Sequence, residues 1–218
     1  MNPLGSDNAY YLDTGWVSSD STIELPNSSS IWIADKNTIG VNEPVKLTWT
    51  SDQNITFEKI ITLDENYLFS VDQRVINNSG LSFDLYPYGL SKRQGIPEMQ
   101  NFFILHEGPL SITDGVLEEY DYDDLKDDKK IKHSSVGGWI GMTDKYWQTA
   151  IIPNQNEPVQ QTYSYSFVDN IDNFQTDIVG ERIAVSNNAS ISHNFKIFAG
   201  PKIVNIIDKY TVSYTHLT

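Results

Sequence analysis

Four histidines, His106, His133, His193 and His216, are the side chains here best suited to proton transfer near neutral pH. None lies in an HExxH frame, so a zinc protease is unsupported. His106-Glu107 follows the apolar run Phe102–Leu105. In a sugar-binding sandwich such a couple acts as acid and base, whereas the plainer reading makes His106 a strand residue at a sheet end. His193 falls on an apolar strand face with Ile191, Phe195 and Ile197, the position of a core or cleft histidine. The acidic run lies in the charged segment Glu118–Lys130. Calcium requires several convergent carboxylates, and a calcium loop counted from Asp121 needs Gly and Glu where Lys126 and Lys132 stand. Lysines within and after the run neutralise it, so it reads as a solvated, charged loop. Nucleophile elbows and phosphate loops are missing. Gly137-Gly138 leads into Trp139, and no Lys-Ser or Lys-Thr completes a phosphate-binding pattern. Cysteine is absent, which excludes disulfides, thiolate chemistry and zinc–sulfur sites. Trp139, Tyr146 and Trp147 are the last candidates. Exposed, they would stack on a sugar or peptide. Buried, they would fill a core, which the flanking strand alternation favours. The sequence thus points to no catalytic residue, no cofactor and no metal.

The elements that carry these residues read mostly at period two. In Tyr67–Val75, positions 67, 69, 71 and 75 are apolar while Ser70, Asp72 and Arg74 face the other way. Tyr163–Phe167 and Ile191–Ile197 repeat the pattern. Further strands are expected at Ile31–Ala34, Val45–Thr50, Ile55–Leu63, Leu81–Tyr86, Asn101–Glu107, Trp139–Met142, Tyr146–Ile152 and Thr176–Val185. Asn77–Gly80, Gly108-Pro109, Asn154–Pro158 and Asn187-Asn188 punctuate them as turns. Short strands at this spacing predict an all-β antiparallel sandwich or barrel. After Gly200-Pro201 the period changes. Ile203, Ile206, Ile207 and Tyr210 have helical spacing, which predicts a short helix over 202–210 laid on the sandwich.

The chain has 218 residues with 15 basic and 29 acidic side chains, a net charge of −14. That charge repels nucleic-acid backbones and argues against a polybasic lipid contact. It favours a monomer. With 39% hydrophobic residues there is material for a core. No run approaches the roughly 18–20 apolar residues of a membrane span, and no signal peptide is visible at the N-terminus.

Three stretches carry a family resemblance. Gly137-Gly138-Trp139 … Tyr146-Trp147 … Ala150-Ile151-Ile152-Pro153 resembles the signature of the large periplasmic domain of the YidC-type membrane protein insertases. Gly200-Pro201-Lys202 resembles that family's step into a C-terminal helix. Glu119-Tyr120 … Tyr122 … Leu125 is similar to its acidic, tyrosine-bearing loop. Leu47–Thr50 with Ile55–Lys59 more weakly resembles its Thr-Trp hairpin. The resemblance implies a twisted β-supersandwich of two antiparallel sheets with a short C-terminal helix, one domain over residues 1–218, and first family strands missing from this sequence. It implies a periplasmic location at the Gram-negative inner membrane. A membrane anchor would precede the domain and the insertase core would follow it. It further implies a non-enzymatic accessory role toward the Sec translocon, SecD and SecF, and toward nascent membrane-protein clients. Glu119, Tyr120 and Tyr122 are then candidate partner contacts. The alternative is a carbohydrate-binding or mutarotase-like sandwich, because the family's fold resembles the galactose mutarotases.

Overall fold

The computed structural model describes residues 1–3, 5, 6, 8–96 and 106–202. In chain order the strands are β1 (Tyr10–Val17), β2 (Ile33–Ala34), β3 (Val45–Thr50), β4 (Ile55–Leu63), β5 (Leu68–Asn77), β6 (Phe83–Gln94), β7 (Gly108–Thr113) and β8 (Val116–Glu119). After helix α1 (Tyr122–Asp128) come β9 (Lys130–Val136), β10 (Trp139–Thr143), β11 (Trp147–Ile152), β12 (Pro158–Val168), β13 (Ile171–Gly180), β14 (Ile183–Val185) and β15 (Ser190–Pro201). They form two antiparallel sheets. The smaller has the order β1-β6-β13-β12-β9, with β14 beside the start of β6. The larger has nine strands in the order β2-β3-β4-β5-β15-β11-β10-β7-β8. The expected supersandwich is therefore present.

Side-chain alternation explains the layers. In β6, Phe83, Leu85, Pro87, Gly89 and Ser91 are buried while the residues between them are half-exposed. Two clusters fill the space between the sheets. Tyr10, Tyr163, Phe174 and Ile178 of the small sheet meet Ile140, Met142, Ile151 and Phe195 of the large one. Trp16, Phe83, Leu85 and Val185 meet Ile55, Phe57 and Val75. Each such side chain contributes about 1.5–3 kcal/mol relative to exposure. A third cluster, Leu110, Ile112, Trp139, Ala150, Ile152 and Phe198, occupies alternate positions on the same strands, hence the opposite face of the large sheet.

The structure departs from the sequence expectations in several places. The acidic run is not a loop throughout. Its centre is α1, whose Tyr122 and Leu125 are buried in the first cluster. The Asp124 carboxylate accepts the Asp121 N–H at 3.1 Å, and Asp123 and Asp124 suit the positive end of the helix. Two apolar residues three apart among many charges were too faint a signal. Gly108-Pro109 opens β7 instead of forming a turn. Thr176–Val185 divides into β13 and β14. β15 runs through Gly200 to Pro201. The helix expected over 202–210, the apolar run Phe102–Leu105 and His216 fall outside the described residues. Among the described residues no helix is long and apolar enough to cross a membrane.

Candidate functional site

A groove of about 940 Å³ runs along β1. One wall is β1 from Tyr10 to Thr14, and the other is the segment from Ala34 to Ile39. Its floor is the large sheet: Val45 and Leu47 of β3, Ile61 of β4, Phe69 and Val71 of β5, and Ile197 and Ala199 of β15. These positions alternate along their strands, so one sheet face supplies a nearly continuous apolar floor. The volume suits a sizeable ligand.

Lys59 interrupts that floor. Its Nζ donates to the Thr14 carbonyl, sits 3.5 Å from Asp13 Oδ1 and lies 5.3 Å above the Trp32 ring. Burial lowers its pKa, and Asp13 partly opposes the shift. Lys59 also begins a polar row across the sheet, because it pairs with Gln73, which pairs with His193. The Gln73 amide is fully buried and finds no partner among the described residues. His193 Nε2 lies 3.0 Å from Glu157 Oε2, a carboxylate delivered by the loop between β11 and β12.

The edge of β1 beside the groove is largely capped. Asn2 and Tyr10 exchange backbone hydrogen bonds at 3.0 and 2.9 Å. The Asp13 carboxylate accepts the Thr14 N–H at 2.8 Å, and Lys59 takes the Thr14 carbonyl. The remaining sheet edges are short or charged. β2 has two residues, β8 carries Glu118 and Glu119, and β9 carries Lys130 and Lys132, with Asp114 accepting its Val136 N–H. Such edges resist strand addition.

Most of the signature residues are buried. Gly137 and Gly138 hold φ of +67° and +76°. A Cβ on Gly138 would collide with the Ile112 carbonyl, and one on Gly137 would stand 2.5 Å from that of Gln155. Trp139, Ile152, Pro153 and Gly200 are buried. Pro201 pairs with Trp147 across β15 and β11. Lys202 Nζ donates to the His106 carbonyl at 3.1 Å, and burial lowers its pKa. Tyr146 and Trp147 break the expected burial, since both are exposed at the β10–β11 turn. Of the candidate partner contacts, Glu119 is exposed and Tyr120 half-buried, its hydroxyl 2.9 Å from His133 Nε2. Tyr122 is buried against Phe174 with ring centroids 4.6 Å apart, so it offers a partner nothing. That burial pushes its phenol up to about 12.

Among the described residues the histidines do not converge on one cleft. His106 Nε2 faces the Pro109 carbonyl at 3.1 Å, with its Nδ1 3.8 Å from Asp121. His193 lies against the rings of Trp16 and Phe195, and its carboxylate partner touches it directly. A mutarotase reaction needs the acid and base separated by a sugar. The long-range His193–Glu157 couple was not visible in the sequence. No group of three potential metal ligands occurs among the described residues.

Comparison with known proteins follows the same line. The family model described as YidC periplasmic domain matches residues 1–217. Proteins named membrane protein insertase YidC from Rickettsia canadensis and Rickettsia bellii are 37% and 36% identical over 215 residues, 98% of this chain. The chain spans 38% of their length. Among solved structures, a galactose mutarotase related enzyme from Lactobacillus acidophilus superposes with a TM-score of 0.56 at 11% identity, covering 79% of this chain and 73% of that one. A TPR-domain containing protein from Parabacteroides distasonis gives 0.51 at 10% identity, covering 91% of this chain and 39% of its own. At such identities these likenesses concern the fold alone.

Proposed function

This chain belongs to the YidC periplasmic-domain family, and on that premise we propose that it is a non-catalytic accessory module of a membrane protein insertase. It works on the periplasmic face of the inner membrane, and its groove along β1 receives extended apolar segments of client membrane proteins. The observation that carries this reading is the apolar floor from Val45 to Ile197. A client segment leaving water for that floor gains by the apolar area it hides. The capped edge of β1 leaves side-chain burial as the main source of affinity, which suits many sequences with little selectivity.

Contact with SecD, SecF and the Sec translocon belongs to the same proposal. The surface offered to them is Glu119 with the exposed edge of Tyr120, where an acidic and an aromatic group stand together. Capture of SecF periplasmic loops by the folded domain, lost on Glu119→Lys, is the expected result.

The groove is tested with a benzophenone amino acid placed at position 61 on the floor and at position 181 far from it. A labelled apolar peptide from a client protein should crosslink at 61, and Leu47→Asp should abolish it. Equal crosslinking at 181 would show unspecific stickiness and sink the groove reading. The sugar-binding alternative has fold likeness behind it and a closed His193–Glu157 couple against it. Accelerated anomerisation of an aldose would revive it.

A further inference from the structure

Among the described residues the exposed aromatic side chains gather at one end of the sandwich. Tyr146 (67% exposed) and Trp147 (51%) stand at the β10–β11 turn, Phe167 (60%) and Val168 (54%) at the β12–β13 turn, and Tyr67 (45%) at the β4–β5 turn. Interstrand links place these turns together. The Arg93–Asp144 ion pair ties the end of β6 to the β10–β11 turn. Asn173 pairs with Gln94, which brings the β12–β13 turn to that same end of β6. The Ala199 N–H donates to the Tyr67 carbonyl at 3.2 Å, and the Lys202 N–H to that of Tyr146 at 2.8 Å. Both ends of the described chain therefore meet here, since Asn2 pairs with Tyr10 and Tyr10 faces Arg93.

The manner of exposure identifies the partner. These residues stand at three separate turns. A rigid protein partner would need a matching pocket for each, whereas a lipid headgroup layer is soft and accepts them independently. Tyrosine and tryptophan prefer that layer, their rings lying among glycerol groups with the polar edge toward water. Lys145, whose Nζ lies 5.2 Å over the Tyr146 ring, can lay its stem on apolar surface and keep its charge among phosphates.

Charge at this end selects the lipid. Helix α1 belongs to it through the Lys126–Asp172 ion pair at 3.1 Å, and it exposes Asp123, Asp124, Asp127 and Asp128 against Lys129 and Lys130, which leaves an acidic excess. Those carboxylates repel anionic headgroups.

The geometry points to this end as a membrane-docking surface, with Tyr67, Tyr146, Trp147, Phe167 and Val168 entering the headgroup layer of a zwitterionic bilayer. The choice of a bilayer rests on the insertase reading above. The docking itself is independent of whether the groove takes a peptide, so peptide crosslinking and vesicle binding fail separately.

The test uses the full 218-residue chain with vesicles of phosphatidylcholine and phosphatidylethanolamine, read by co-sedimentation and by tryptophan quenching from brominated acyl chains. The chain should sediment with the vesicles and be quenched. The triple variant Tyr146→Ser, Trp147→Ser, Phe167→Ser should partition at least about tenfold less, equivalent to about 1.4 kcal/mol. Trp147→Phe should still sediment with most of its quenching lost, since Trp16 and Trp139 are buried and Trp32 and Trp49 pack against the second cluster, away from this end. Adding phosphatidylglycerol should weaken binding. Unchanged sedimentation of the triple variant would overturn the proposal. So would no binding of the parent chain, or binding that rises with anionic lipid. A melting curve checks that the variant folds. If it does not, Tyr146→Ser and Phe167→Ser are measured singly. Each should reduce sedimentation severalfold, and unchanged sedimentation of both would overturn the proposal equally.

Discussion

The β10–β11 and β3–β4 hairpins lie in one sheet and are built on opposite plans. Every residue of β10 is buried, as is every residue of β11 except Trp147. Apolar clusters cover that hairpin on both faces. In β3 and β4 most residues are half-buried, because part of one face lines the groove. The first hairpin leaves no room for variation, and the second leaves room for a guest. The family signature Gly137–Pro153 therefore marks where the sheet is packed. The apolar groove lies elsewhere in the sheet, along the β3–β4 hairpin and its neighbours.

Changes at glycine should give the largest contrast. Gly138→Ala forces a Cβ into the Ile112 carbonyl at a φ of +76°, and should cost about 3–5 kcal/mol or prevent folding. Gly80→Ala, with a similar φ of +85° and open space around it, should cost about 1 kcal/mol. Denaturant titration distinguishes them, and similar losses at both would mean that collision is not what the signature guards against.

Core truncation comes next. Ile151→Ala should lose about 2–5 kcal/mol, because its side chain is fully buried. Ile61→Ala on the groove floor already faces open space and should lose about 1 kcal/mol or less. Equal losses in thermal melts would erase the distinction between the hairpins.

Alkaline pH gives a smaller, graded effect. Burial raises the phenols of Tyr10, Tyr88, Tyr122 and Tyr163, and Tyr122 reaches about 12. The folded chain holds these protons more tightly than the unfolded one. Stability should be constant up to about pH 10 and then fall as pH rises. Lys59, with its lowered pKa, works the other way as one group. Tyr163→Phe should flatten the decline. A denaturation midpoint unchanged from pH 9 to pH 11.5 would contradict the burial of these rings.

The smallest change belongs to Trp147→Ser. It is the exposed residue of an otherwise buried strand and should alter stability by no more than about 0.5 kcal/mol. A large loss would place its indole in the core after all.

Where interactions are local, the sequence could be read closely. Val45–Thr50 and Ile55–Leu63 are β3 and β4 at the expected bounds, because Val45, Leu47 and Trp49 and then Ile55, Phe57, Ile61 and Leu63 recur at even spacing and Asp52-Gln53-Asn54 supplies the turn. Where one partner lies far along the chain, it could not. Asn194 bonds Asp72 across 122 positions, and no periodicity encodes that meeting. The groove is of this kind, since β1 and β15 close it from opposite ends of the described chain. Local pattern also misled at Trp147, the first residue of β11, where the strand has begun but its covering has not.

Among the described residues, β15 lies between β5 and β11 and so is the seam joining strands β2–β5 to strands β7, β8, β10 and β11 within the larger sheet. A chain emerging N-terminus first must therefore carry two unfinished half-sheets, each with an open inner border, until residues 190–201 arrive to zip them together. Assembly of the larger sheet is thus deferred until β15 has been made, and a truncation before Ser190 would leave one chain bearing two half-sheets with sticky inner borders in place of a smaller working sandwich.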